Sequence, residues 1–157
     1  MLGAALLGRV FHFTENPRYL EASTKAMRRA VAAQRQDGSW PYGERAHHQF
    51  IDNFHTGYNL VALHSWMRNT NSDGWKSELE RGYYYWLDTF FEADGRPKYY
   101  SESLYPIDVH CSAQGIVTCL QLCEFCTRSM DLAKKIALWA IENMQGKDGY
   151  FYYKKER

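Results

Sequence analysis

The chain carries no excess of charge. Its 157 residues hold 19 Lys and Arg against 18 Asp and Glu, a net charge of +1, and the two signs are spread evenly. No basic stripe marks nucleic acid as a partner, and no polybasic segment marks an anionic membrane. No apolar run approaches the roughly 20 residues that cross a bilayer. Residues 1–13 are mildly apolar but lack a basic leading segment and a small-residue cleavage site, so they do not read as a signal peptide. Cysteine is sparse: there are four, and three of them crowd into residues 119–126. They read as free thiols in a reducing, cytoplasmic compartment rather than as a disulfide framework. The length fits one domain, residues 1–157.

What the chain does have is a period. The stretch Gln34-Arg35-Gln36-Asp37-Gly38-Ser39-Trp40-Pro41-Tyr42-Gly43 returns in degraded form as Glu92-Ala93-Asp94-Gly95-Arg96-Pro97-Lys98-Tyr99-Tyr100. It returns again as Gln145-Gly146-Lys147-Asp148-Gly149-Tyr150-Phe151-Tyr152-Tyr153. The Asp-Gly steps lie 57 and 54 residues apart, His55 and His110 lie 55 apart, and Asp52 and Asp108 lie 56 apart. Self-similarity at a fixed step marks a repeat architecture.

Between the turns the pattern is helical. Residues 2–13 have aliphatic and small side chains on nearly every side, which predicts a helix buried all round. Asn16-Pro17 supplies a cap and a first-turn proline for a second helix over about 17–34. A third is expected over 51–68, and a fourth over about 75–91 with Leu79, Tyr83, Trp86 and Phe90 on one stripe. A fifth opens after Pro106 and runs to about Cys126. A sixth starts at Ser129 and carries Leu132, Ile136 and Trp139 on one face, and residues 150–153 form a short extended piece. Odd-numbered helices are the more uniformly apolar set and even-numbered ones are one-sided, as inner and outer rings require. Each hairpin needs stacked neighbours to bury its faces. The fold class is therefore all-α, with about three hairpins. By the repeat register Met1 falls opposite Gly57, so the first hairpin is expected to be clipped at its N-terminus.

Gln34-x3-Gly38-x-Trp40 resembles the QW motif of the squalene cyclase and prenyltransferase β-subunit group, which is built on an α/α toroid, and Gln145-x3-Gly149-x-Phe151 is a looser version. The whole chain, and especially Ile51-Asp52-Asn53-Phe54-His55-Thr56-Gly57-Tyr58-Asn59-Leu60, also resembles α/α-toroid proteins linked to bacterial and archaeal polysaccharide biosynthesis. These are grouped with the six-hairpin glycosidase-like superfamily. The resemblance implies a half or partial ring, a glycan or other small ligand in a central funnel, and glycoside hydrolase, polysaccharide lyase or sugar epimerase chemistry. A homodimer would complete the ring. The cyclases' Asp-x-Asp-Asp acid motif is absent, and so is a match to the prenyltransferase zinc set, which leaves isoprenoid handling as an alternative without its machinery. A non-catalytic binding or scaffold module is the other alternative. Neither a cofactor nor a metal is expected.

Asp52 and His55 are three apart and share a helical face. The carboxylate would orient the imidazole for acid–base work, or simply cap the helix. Asp108 and His110 recur one repeat later, but two apart they are not expected to share a helical face. These four are the candidate catalytic residues. Trp40, Tyr42, Glu44, Tyr100 and Glu102 are the candidate substrate-binding set, because aromatic planes beside carboxylates suit sugar rings and their hydroxyls; Trp40 reads equally as packing. Cys119, Cys123 and Cys126 would form one stripe on a continuous fifth helix, where thiols serve either as zinc ligands or as small core residues.

Overall fold

The computed structural model describes residues 1–157. Six helices run in order: α1 (Leu2–Thr14), α2 (Pro17–Val31), α3 (Asn53–Thr70), α4 (Lys76–Thr89), α5 (Val109–Gln121) and α6 (Ser129–Met144). They form three antiparallel hairpins, α1–α2, α3–α4 and α5–α6. In the inner row α3 packs between α1 and α5, while α2, α4 and α6 stand outside. The architecture is a partial α/α toroid.

Local chemistry starts and stops the helices where the sequence says it should. Asn16 accepts from the Arg18 amide at 3.1 Å, with Pro17 at the first helical position. Asp52 and Asp108 are the caps of α3 and α5. α1 and α3 end alike, in left-handed residues Glu15 and Asn71, both with φ of 52°. The predicted α4 stripe is the centre of the core: Leu79, Tyr83, Trp86 and Phe90 are all fully buried. Outer and inner layers are joined by indole donors, Trp66 Nε1 to Ser23 Oγ at 3.0 Å and Trp86 Nε1 to Asn53 Oδ1 at 2.9 Å.

The three Asp-Gly turns share one conformation, with Gly38, Gly95 and Gly149 at φ of 96°, 91° and 89°. In the first and third, a glutamine closes the loop: Gln34 Nε2 donates to the Gly38 carbonyl and Gln145 Nε2 to the Gly149 carbonyl, each at 3.0 Å. The middle turn has Phe91 at that place and closes without such a side chain, through Glu92 N to Arg96 O at 2.9 Å, with Asp94 Oδ1 accepting the Arg96 amide at 3.0 Å. Glycine is required here for a second reason besides φ. A Cβ on Gly38 would sit 2.6 Å from the Arg81 carbonyl oxygen of α4, and one on Gly95 would sit 2.5 Å from the Lys135 carbonyl carbon of α6. These first two turns are pressed onto the outer helix of the next hairpin.

Three expectations are corrected. α1 is not buried all round: Leu2, Leu6 and Phe13 are 59 %, 64 % and 74 % exposed, because only α2 and α3 cover it. α5 stops at Gln121, and a 3-10 turn over Cys123–Phe125 follows. Cys119, Cys123 and Cys126 therefore do not share a stripe, and Cys123 is exposed while the other two are buried. The terminal extended piece is Lys154–Lys155, which forms strand β2 against β1 (Ile107–Asp108), slightly later than predicted.

His64 on α3 is buried, with Nε2 3.1 Å from Glu124 Oε1. Burial holds its pKa below the ordinary 6.5, against the opposing pull of Glu124. A base depressed in the fold is protonated first in the unfolded chain, so its contribution is present above 6.5 and lost as pH falls through that value. The fall in stability between neutral and mildly acidic pH is expected to be shallower in His64→Gln, as read by urea denaturation at each pH. A second comparison isolates the turn contacts. Gly149 has nothing within 4 Å of its Cβ position, so Gly149→Ala pays only backbone strain, roughly 1–2 kcal/mol. Gly95→Ala adds a clash with α6 backbone and is expected to lose markedly more in the same denaturation experiment.

Candidate acid–base site

The starts of α3 and α5 are fixed by pairing with the loop that leaves the next outer helix, α4 and α6 respectively. Asp52 bridges Tyr100, with the Asn53 amide donating to the Tyr99 carbonyl at 2.9 Å. One repeat on, Asp108 pairs with Lys154 in the β1–β2 ribbon, and the Val109 amide donates to the Tyr153 carbonyl at 3.1 Å. Each aspartate is thus both the last extended residue and the helix cap, and each is 2 % exposed.

The two carboxylates hold two imidazoles. Asp52 Oδ1 accepts the His55 amide at 2.9 Å, and its Oδ2 lies 2.8 Å from His55 Nδ1. Asp108 Oδ1 takes both the His110 amide at 2.8 Å and His110 Nδ1 at 2.7 Å. Asp108 and His110 do not share a helical face, as expected, yet they meet: the cap residue lies outside the helix, so its carboxylate folds back onto the second helical residue. The cap and dyad readings of Asp52 prove compatible, one oxygen serving each. With Nδ1–H given to a carboxylate, Nε2 is the nitrogen free for substrate. The imidazole side chains are 40 % and 55 % exposed, over aspartates that are almost wholly covered.

Aromatic rings frame the pair. Phe54 lies between them, its centroid 4.3 Å from His55 and 6.2 Å from His110. Tyr42 meets His55 edge-on at 4.7 Å, and Tyr153 meets His110 edge-on at 5.8 Å. Phe50 stacks on Tyr42 at 4.9 Å and takes Tyr100 on its edge at 5.7 Å. Behind Phe54, the Tyr99 hydroxyl is pushed up to about 12 by burial first, then by Tyr100, Asp52 and Asp108. It stays a protonated donor. The buried Cys111 thiol is pushed up by the same burial and the same two aspartates, so it is no thiolate nucleophile.

Not every predicted wall residue reaches this mouth. Trp40 does not: it is 3 % exposed, donates Nε1 to the Ala30 carbonyl at 3.1 Å and fills the space over Gly82. It is a packing residue, as its alternative reading had it. Glu44 turns to the outer layer and pairs with Arg29 at 2.5 Å. Glu102 lines an adjoining groove of about 510 Å³ with Arg35, Gln49, Phe50 and Tyr100, away from the dyads. Sequence reasoning passed over Phe50, Phe54 and Tyr153, while Tyr99 was read with the aromatics that follow the Asp-Gly turns. The signal for Tyr153 was present, since Tyr42, Tyr99 and Tyr153 stand at the same place in the three turns, each four residues after the glycine. No group of three or more His, Cys, Asp or Glu converges to hold a metal ion.

Solved structures share this arrangement of helices. A cellobiose 2-epimerase from Bacillus thermoamylovorans B4167 superposes with a TM-score of 0.82 at 11 % identity, over 98 % of this chain and 43 % of that one. A sugar epimerase from a ruminal bacterium gives 0.81 at 9 % identity, with 98 % and 43 % covered. The fold is that of the α/α toroids. A GH76 α-mannanase from Bacteroides thetaiotaomicron gives 0.74 at 14 % identity, over 99 % of this chain and 46 % of that one. The chain therefore spans less than half the length of the toroids it matches. No protein-family model matches the sequence, and no curated protein matches it either.

The dyad geometry predicts one tautomer for two histidines. Long-range proton–nitrogen correlation spectra above the imidazole titration are expected to show His55 and His110 protonated on Nδ1. Asp52→Asn keeps a capping oxygen but removes the charge, so His55 alone is expected to lose that preference, with helical content unchanged.

Proposed function

We propose that the chain acts on a glycan at the mouth of the inner helices, using His55 and His110 for proton transfer at a sugar carbon. The observation that carries this reading is the pair of exposed imidazoles, each held through Nδ1 by a buried carboxylate, inside one aromatic frame. Asp52 and Asp108 orient the rings and balance the charge of whichever imidazole takes a proton. A neutral imidazole removes the hydrogen from a carbon beside a carbonyl or carboxylate, and the second, in its protonated form, delivers a proton to the substrate. Tyr42 and Tyr100 offer planes for a pyranose ring, with Phe50 between them.

This geometry favours epimerase or lyase chemistry over hydrolysis. A hydrolase of the usual kind needs two carboxyl groups facing the scissile bond, about 5–9.5 Å apart. Here both central carboxylates are buried and engaged, while Glu44 and Glu102 point elsewhere. The structural neighbours include sugar epimerases, a polysaccharide lyase and an α-mannanase, which supports a glycan as the ligand class without deciding the reaction. A membrane substrate has no such support, and no helix is long and apolar enough to cross a bilayer.

The test has two arms. Thermal shift against uronic-acid and neutral oligosaccharides, with prenyl diphosphates as the contrast, finds the ligand class, because a native-state ligand raises the melting temperature. Incorporation of solvent deuterium into the bound sugar then reports carbon–hydrogen cleavage. It is expected to fall by about 10²–10⁴-fold in His55→Gln and in His110→Gln while sugar binding persists. Binding without exchange would assign the site to a non-catalytic glycan module, and a response to prenyl diphosphates alone would overturn the glycan reading.

A further inference from the structure

The two ends of the hairpin row are the two halves of an interface that the chain already makes internally. The inner helices repeat at a step of 56 residues, which sets Asp52 on Asp108 and Glu15 on Asn71. At the α3–α5 contact, a Cβ on Gly57 would meet Gln114 Cγ at 2.8 Å and Thr118 Oγ1 at 3.0 Å. One step on from Gly57 is Ala113 of α5, small and exposed. Two steps back from Gln114 and Thr118 are Leu2 and Leu6 of α1, both largely exposed. The same shift carries a second contact. Phe125 packs edge-on against His64 at 5.5 Å, and their counterparts at the two open ends are Phe13 and Leu120, both exposed.

The outer layer repeats the pattern. Gly38 docks on the α4 backbone at Arg81 and Gly95 on the α6 backbone at Lys135, each residue fourteen before the next turn's glycine. The Gly149 turn has the same left-handed glycine but no helix against it. The corresponding place on α2 is Thr24, on the open side of the first hairpin.

We infer that two copies of this chain join head to tail, the α5–α6 end of each seated on the α1–α2 end of the other, to close a six-hairpin ring. In each interface Ala113 lies between the partner's Leu2 and Leu6, Leu120 lies under the partner's Phe13, and the Gly149 turn rests on α2 near the partner's Thr24. The tail face continues the row of α1–α3 and α3–α5 interfaces, and the α1–α2 hairpin of another copy carries a matching half. A head-to-tail contact either closes or grows into a filament. Closure at two copies agrees with the toroids above, of which this chain matches 43 % to 46 %. The closed ring surrounds its funnel with four Asp–His dyads, two from each copy. The inference stands apart from the chemistry proposed for those dyads, since its readout is mass.

Sedimentation velocity across a wide range of concentration tests it. The native chain is expected at twice its 18.4 kDa, with a melting temperature that rises with concentration. Ala113→Arg and Leu6→Arg each place a charge at a site exposed in the single chain. Both are expected to keep native circular dichroism and to sediment as single chains. Mixing the two variants leaves one of the two interfaces intact, so a pair is expected to reappear at lower affinity. A head-to-head or tail-to-tail contact would not need both faces, so a dimer that survives in either variant overturns the inference. A native chain that stays single at every concentration also overturns it, and open-ended polymer overturns the closure.

Discussion

One carboxylate in each complete repeat does three jobs at once, and the rest of the structure depends on it. Asp52 and Asp108 end an extended segment, cap an inner helix and hold an imidazole. Each is almost fully buried, so an unpaired charge there would be costly. The helix amide and the imidazole nitrogen supply the compensation. Capping of this kind contributes about 1 kcal/mol to a helix. Here it also sets where the helix begins, and so where the histidine stands.

The same pairing explains why the hairpins stack in one order. The segment that ends in each aspartate bonds to the loop leaving the next outer helix, Asp52 to Tyr100 and Asp108 to Lys154. At the other layer, the first two glycine turns press on the next outer helix. The first two hairpins are therefore gripped by their successors at the inner mouth and at the outer turn. The outer grip leaves no room for an extra atom on the glycine, which fixes the spacing between hairpins. The aromatic frame inherits that rigidity, since Tyr42, Tyr99 and Tyr153 ride on the turns.

Much of this was legible in the sequence because it rests on local chemistry. Asp-Gly at a steady step gives the turns, Asn16-Pro17 a helix start, and Leu79, Tyr83, Trp86 and Phe90 the buried stripe. What was illegible depends on which neighbours exist. Residues 2–13 look fit for full burial, yet Leu2, Leu6 and Phe13 are open because no hairpin covers that side. Trp40 looks like a sugar platform by composition, but Gly82 leaves a space that only a large ring fills. The run of cysteines gave no hint that α5 would unwind after Gln121. Phe50 and Phe54 joined the site through loop and helix geometry that no spacing rule encodes. Of the candidate site, the two dyads, Tyr42 and Tyr100 were visible, while the way Asp108 reaches His110 from outside the helix was not.

The departure of the dyads from strict repetition bears on what they do. In the register that superposes Asp52 on Asp108, His110 falls on Phe54 and His55 on Cys111. The two imidazoles thus reach their aspartates from different helical positions, one from the third residue of the helix and one from the second. The caps shift with them, since Asp52 takes the amide of the third helical residue and Asp108 that of the second. Both imidazoles meet a carboxylate and stay open to solvent, although beyond the Phe54 they share their surroundings differ: His55 is flanked by the Tyr42–Phe50 stack, and His110 by Tyr153. Two proton-transfer groups that approach one substrate from different directions need this asymmetry, since the group that takes a proton and the group that gives one must address different atoms.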